Sequence, residues 1–212
     1  MLNINFSRPT GSLDHPFRVR FYDNVMDPEL YARLLSQFPD IKYLNTYSAV
    51  GCKNRLCNRD DGFDLFMKAH PEWNKLHAWL RENFLGLCMK AVNPTLRKKA
   101  KIKFEFSALP GEGGGLKPHP DTAKKVATAV MFFESDWKDE WGGAFEALRH
   151  LTRPDDDFDG MRVDWSEVET ILKVPVASNR ILFMQRTKNS LHGVRPCTAP
   201  RFRRSITVNL VS

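Results

Sequence analysis

His119-Pro120-Asp121 places an imidazole and a carboxylate two residues apart. In an extended chain, residues i and i+2 leave the same face. The pair can therefore grip one ion. A third ligand has to come from a later strand, and His192 is the candidate. Two imidazoles and one carboxylate suit an Fe(II) held on one side, with its other positions open to O2 and a substrate. A site richer in sulfur would favour zinc and a closed shell. By itself a His-x-Asp triplet is a common loop feature.

The C-terminal strand gives the triplet more weight. From Arg203 to Leu210 the alternation puts Arg203, Ser205 and Thr207 on one face. Ile206, Val208 and Leu210 take the other. A guanidinium followed two residues later by a hydroxyl can bind a carboxylate with a fork of donors. The charges also balance: Fe(II), one aspartate, a dianionic chelator and one arginine sum to zero. An unpaired charge in such a buried site would be costly. Arg201, Arg203 and Arg204 are close together, and spacing alone does not choose among them.

The elements that position these residues change character near Pro94. Before it the chain reads as mostly helical support (1–94). Asp27-Pro28 looks like an N-cap with proline at the first helical position. Leu30, Leu34, Leu35 and Phe38 share a face, and Pro39 ends the run. A second helix starts at Pro71 and carries Trp73, Leu76, Leu80, Phe84 and Leu87 at helical spacing until Asn93-Pro94. His70 and His77 flank it as packing or surface residues.

After Pro94 the period becomes two. Ile102, Phe104, Phe106 and Ala108 alternate with Lys101, Lys103, Glu105 and Ser107, and the charges of Lys101 and Lys103 alternate as on the wet face of a strand. Val126–Phe133, Arg180–Met184 and Ser205–Val211 are further strands. An insert from about His150 to Lys173 holds Asp155, Asp156, Asp157 and Asp159, with a short helix expected around Ser166–Leu172. It reads as a solvated loop, with a lid over a cationic substrate as the alternative. Lys124 and Lys125 read as a wet turn, with an anionic substrate as the alternative. The class is α+β: an antiparallel double-stranded β-helix, or jelly roll, over 95–212 on N-terminal helices, the whole as a single domain.

Composition agrees with a globular protein. The 212 residues are 42% hydrophobic and 27% charged, which excludes disorder over most of the chain. No apolar run reaches the about 18 residues of a membrane helix, so no membrane partner is expected. Met1 to Thr10 lacks a basic flank followed by an apolar stretch, and the expected location is cytoplasmic. The net charge of +7 allows nucleic acid or anionic partners. Its clearest cluster is Arg97, Lys98, Lys99, Lys101 and Lys103. Cys52, Cys57, Cys88 and Cys197 fit no disulfide framework and read as reduced thiols.

The segment from about Ile102 to Val211 resembles the Fe(II)/2-oxoglutarate-dependent dioxygenases, in particular their prolyl-4-hydroxylase-like branch. The resemblance rests on Leu109-Pro110-Gly111 through Asp121, Glu134-Ser-Asp-Trp137 with Gly142-Gly143, Asn179–Phe183, and Arg203–Val208. It implies iron on His119, Asp121 and His192, and 2-oxoglutarate on an arginine of the last strand. Matching Ile206-Thr207-Val208 makes that arginine Arg203, while counting from His192 favours Arg201. Thr128 and Thr207 match pocket-lining positions, and Ser205 completes an Arg-x-Ser pair used in other branches. Leu109 and Phe132 stand where the prolyl hydroxylases carry tyrosines that contact 2-oxoglutarate. The implied activity is hydroxylation of an unactivated C–H in a small molecule or a prolyl residue, with O2 consumed, succinate and CO2 released, and ascorbate as a possible reductant. A non-catalytic binding jelly roll is the alternative reading. Nucleic-acid demethylation ranks below it, because the second arginine of that branch is replaced by Asn209 or Leu210.

Overall fold

The computed structural model describes residues 4–47, 51–95 and 100–212. Twelve strands carry the architecture: β1 (Gly11–Leu13), β2 (Val19–Tyr22), β3 (Asn45–Tyr47), β4 (Gly51–Cys57), β5 (Lys101–Leu109), β6 (Gly115–His119), β7 (Lys125–Phe132), β8 (Phe145–His150), β9 (Val168–Val174), β10 (Ile181–Gln185), β11 (His192–Val194) and β12 (Arg203–Val211). Three helices precede β5: α1 (Pro28–Ser36), α2 (Asp61–Ala69) and α3 (Pro71–Ala91). The strand order is β1-β2-β10-β7-β12-β5-β4-β6-β11-β8-β9, with β3 on β4. Every ladder is antiparallel. Strand β4 bridges a major sheet, which ends in β12-β5-β4, and a minor sheet, β6-β11-β8-β9. The two form a double-stranded β-helix.

The helices cover the outer face of the major sheet. Asp27 caps α1 by accepting from the backbone N–H of Glu29 and Leu30, and Pro28 opens the helix. Helix α3 buries Trp73, Leu76, Leu80, Phe84, Cys88 and Ala91. These pack with Phe104 and Phe106 of β5, Ala127, Ala129 and Met131 of β7, and Ile206, Val208 and Leu210 of β12. A second cluster, including Phe17, Phe132, Phe145, Leu182 and Met184, fills the space between the sheets. His70 stacks on Phe66, and His77 packs edge-on against Phe63 and Phe104, so both are packing residues.

Three expectations need correction. The first 94 residues contain strands β1 to β4 and helix α2 as well as the two expected helices. Strands β1, β2 and β3, of three or four residues, leave too few alternations to read. The region around Ser166–Leu172 is not helical. A 3-10 turn at Trp165–Glu167, closed by the Asp164/Glu167 capping box, leads into β9. Val168, Thr170 and Val174 are β-branched, and pairing with β8 decides the outcome. The wet face expected at Lys101 and Lys103 holds only for exposed Lys101, because the face runs on into an interior wall where Glu105 and Ser107 are 2% and 4% exposed. Cys57, Cys88 and Cys197 are buried free thiols. The Cys52 side chain and Arg97, Lys98 and Lys99 lie outside the described residues.

Candidate active site

Between the two sheets lies a cavity of about 400 Å³, within the range of about 300–1,000 Å³ usual for small-molecule sites. The minor sheet supplies two imidazoles. His119 ends β6 and His192 begins β11, and they face each other as direct partners in the ladder. Their rings lie 4.5 Å apart. His119 Nδ1 is 2.6 Å from the Lys117 carbonyl, and His192 Nδ1 is 3.0 Å from the Ser190 carbonyl. Each Nδ1–H therefore donates to backbone, and each Nε2 keeps its lone pair for a ligand. Burial lowers the pKa of both, to about 3 for His119, where the neighbouring His192 adds to the effect. Burial thus favours the neutral form of both rings, the form a metal requires.

Asp121, two residues beyond β6, completes the group. Ligand atoms of His119, Asp121 and His192 all lie within 4.8 Å of one another. Burial pushes the Asp121 carboxyl up in pKa, but Lys125, His192 and Thr128 more than reverse this and hold it well below the usual carboxylate range. Lys125 Nζ donates to Oδ1 at 2.5 Å, and the Thr128 hydroxyl donates to Oδ2 at 2.6 Å. Thr128 therefore acts on the carboxylate. Behind it, Asn209 lies 2.9 Å from the same hydroxyl. Asn209 continues the Arg203-Ser205-Thr207 face by one more step of two, the signal that would have found it.

At the other end of β12, Arg203 is 4% exposed. Its Nη1 donates to the Gly143 carbonyl, its Nε has no partner, and its guanidinium lies 5.3 Å from the Phe132 ring centroid. Gly143 has φ +74°, and a Cβ there would come within 3.0 Å of the Arg203 side chain. The double glycine thus lets backbone approach the guanidinium. Arg201 points elsewhere: it donates to the Ser135 carbonyl and sits over the Trp141 ring at 5.3 Å. Arg204 pairs with buried Glu134. Of the three arginines, only Arg203 lines the cavity. Ser205, Thr207, Leu109 and Phe132 line it too.

A buried cation with an unused donor, across a cavity from two neutral imidazoles and a carboxylate, is the arrangement expected for an anionic chelator on a metal. The sequence comparison decides the family. Residues 104–211 match the family described as the 2OG-Fe(II) oxygenase superfamily. The chain belongs to this superfamily. It is an oxygenase that uses Fe(II) and 2-oxoglutarate, and the donor set and the orphaned Arg203 Nε suit both.

No curated protein matches the oxygenase. Solved structures share its fold. A Trichoplax adhaerens prolyl hydroxylase, in complex with a hypoxia-inducible-factor peptide fragment, is 15% identical with a TM-score of 0.62, over 91% of this chain and 83% of that one. A Pseudomonas putida prolyl-4-hydroxylase is 17% identical with a TM-score of 0.53, over 92% and 93%. HygX from Streptomyces hygroscopicus, solved with nickel and 2-oxoglutarate bound, is 12% identical with a TM-score of 0.59, over 91% and 82%.

Several site residues were missed in the sequence. Lys53 and Arg55 of β4 reach the cavity, where Arg55 lies 3.5 Å from Glu105 and Lys53 is hydrogen-bonded to it. Strand β4 gave no clear periodic signal. Conversely, none of the acidic insert from Asp155 to Asp159 lines the cavity. Asp159 pairs instead with Arg186. Trp137 and Trp141 pack against each other outside it. Among the described residues no helix is long and apolar enough to cross a membrane.

Proposed function

We propose that the oxygenase hydroxylates an unactivated C–H bond of a small molecule, with His119, Asp121 and His192 holding Fe(II) and Arg203 holding the distal carboxylate of 2-oxoglutarate. One observation carries this reading: three ligand atoms within 4.8 Å of one another share a cavity with a buried guanidinium that has a free donor. When bound, the iron couples oxidative decarboxylation of 2-oxoglutarate to succinate and CO2 with transfer of one oxygen atom of O2 into the C–H bond.

The protein's own residues bind, orient and exclude water. The Lys117 and Ser190 carbonyls fix the imidazole tautomers. Thr128 orients the Asp121 carboxylate. Phe132 supports the guanidinium in place of a tyrosine hydroxyl, and Ser205, beside Phe132 in the ladder, offers the hydroxyl that Phe132 and Leu109 lack. Leu182, Met184, Val130 and Phe145 give the cavity a dry floor. Prolyl hydroxylases among the structural neighbours keep a prolyl substrate as the competing reading.

Anaerobic addition of Fe(II) and 2-oxoglutarate tests this. A weak visible charge-transfer band is expected in the wild type and not in His119→Ala. Screening small molecules against prolyl peptides for succinate release then separates the two substrate classes. Iron bound without a band would favour the non-catalytic binding jelly roll.

A further inference from the structure

The charges around the iron site do not balance once the family's two ligands are counted. Six cationic side chains line the cavity besides Arg203: Lys53, Arg55, Arg59, Lys103, Lys124 and Lys125. Its side-chain carboxylates are Glu105 and Asp121. Fe(II), Asp121, a 2-oxoglutarate dianion and Arg203 together are neutral. The other six cations and Glu105 are the remaining charged side chains that line the cavity. Glu105 is already crowded: Lys53, Arg55 and Lys103 all converge on it, and Ser107 donates to it at 2.9 Å. The side chains of Lys53, Arg55, Lys103 and Lys125 are only 15%, 24%, 23% and 25% exposed. Partly desolvated like charges repel strongly. Such a cluster favours an anion that joins it.

Arg203 cannot be that site's other half. Lys103 is paired with Asn209, which lies about 20 Å along β12 from Arg203. The two positively charged ends therefore lie apart along the strand, with Asp121 near the Lys103 end through Thr128 and Asn209. Lys125 lies against Asp121 Oδ1 and lines the same cavity.

We infer that the substrate is a small molecule bearing a phosphomonoester or equivalent dianionic oxyanion, held by Lys53, Arg55 and Lys103 with Arg59 and Lys124 at the mouth, so that its C–H faces the iron. This deepens the hydroxylase reading and rests on it. The ammonium and guanidinium groups supply point charges and a fork of donors, the pair of chemistries that phosphate oxygens recruit. The sequence alternative for Lys124 and Lys125, an anionic substrate, is the one this arrangement favours. The lid over a cationic substrate loses its basis, because the acidic insert does not reach the cavity.

The test uses phenyl phosphate as the probe and phenol as its neutral control. Both are titrated calorimetrically into the full chain holding Fe(II) and 2-oxoglutarate without oxygen. Saturable binding of phenyl phosphate is expected, with none of phenol. The double variant Lys103→Gln/Arg59→Gln should bind it at least about tenfold more weakly while keeping the charge-transfer band. Equal affinity in variant and wild type would overturn the proposal. So would loss of the band on adding phenyl phosphate, which would put the anion on Arg203. A single-stranded oligonucleotide that displaces the probe at lower concentration than the probe itself binds would assign the cluster to nucleic acid and also overturn it. If no band forms at the outset, the hydroxylase reading has failed. The same titration on iron-free protein then still reads the cluster.

Discussion

On one face of β5, β7 and β12, Phe104, Phe106, Met131, Ile206 and Val208 lie buried against the helices. On the other, Glu105, Ser107, Thr128, Arg203, Ser205 and Asn209 are just as buried. The same three strands thus carry two interiors of equal dryness and opposite chemistry. The helix side gains free energy from every apolar group removed from water. The cavity side spends it, because buried polar groups must be paired and buried charges more so. Fold stability and function are therefore separated by one residue of register, and substitutions on the two faces should separate them experimentally.

The largest effect is expected on the helix side. Phe106 is fully buried and meets Phe38, Phe66, Trp73 and Phe104 at ring distances of 4.7 to 5.4 Å. Phe106→Ala should cost about 3–5 kcal/mol of stability, read by chemical denaturation. The fraction still folded should bind 2-oxoglutarate normally. A selective loss of 2-oxoglutarate binding would show that the two faces are coupled.

Glu105 gives the next effect, through pH. Burial raises its pKa, but Lys53, Lys103 and Ser107 overcome this and bring it to about 2, from an ordinary value of 4.5. A carboxyl depressed on folding stabilises the protein above its ordinary pKa and loses that contribution as pH falls toward the folded value. The difference is on the order of 3 kcal/mol. Wild-type stability should fall by that order between pH 5 and about 2. In Glu105→Gln this contribution to the acid loss should vanish, with the protein weaker at neutral pH because its cations remain. An unchanged acid profile would mean the carboxylate is not held by those cations.

Arg203→Met should raise the 2-oxoglutarate KM by about 100-fold, as the loss of a charged fork of bonds implies. Its effect on the melting temperature should be small or positive, because the guanidinium is buried with an orphaned Nε and burial lowers its pKa. A large destabilisation would make Arg203 a structural residue. The ferrous band and succinate release, followed with 2-oxoglutarate concentration, measure the first. A thermal melt measures the second.

The helix side was legible wherever a run was long enough to show its period. The Trp73-to-Phe84 spacing, the Asp27 cap and the alternations of β5 and β12 all survive in the fold. The ligand candidates were legible because His119 and Asp121 are neighbours in sequence, and the order of elements allowed His192 to meet them. Thr128 was singled out by resemblance, but its contact with Asp121 was not visible. Lys53 and Arg55 were hidden, because β4 joins the site through ladders to β5 and β6 that no local pattern announces. Polar alternation on β5 reports two unlike faces. It does not say whether the polar one meets solvent or a cavity.

Thr128 offers the smallest and most discriminating substitution. Its hydroxyl donates to Asp121 at 2.6 Å. Thr128→Val keeps the shape and removes the donor. The carboxylate oxygen then loses its partner and the Asn209 contact ends with it. Outer partners of metal ligands commonly set affinity by about 10–100-fold. A single neutral donor belongs at the lower end, so Fe(II) affinity should fall about tenfold. The 2-oxoglutarate KM at saturating iron should stay put, because Arg203 is untouched. Titration of Fe(II) against a competing chelator reads the first and succinate release the second. If iron affinity holds and the 2-oxoglutarate KM rises instead, Thr128 faces the co-substrate, and the cavity side divides its labour differently along β7 and β12.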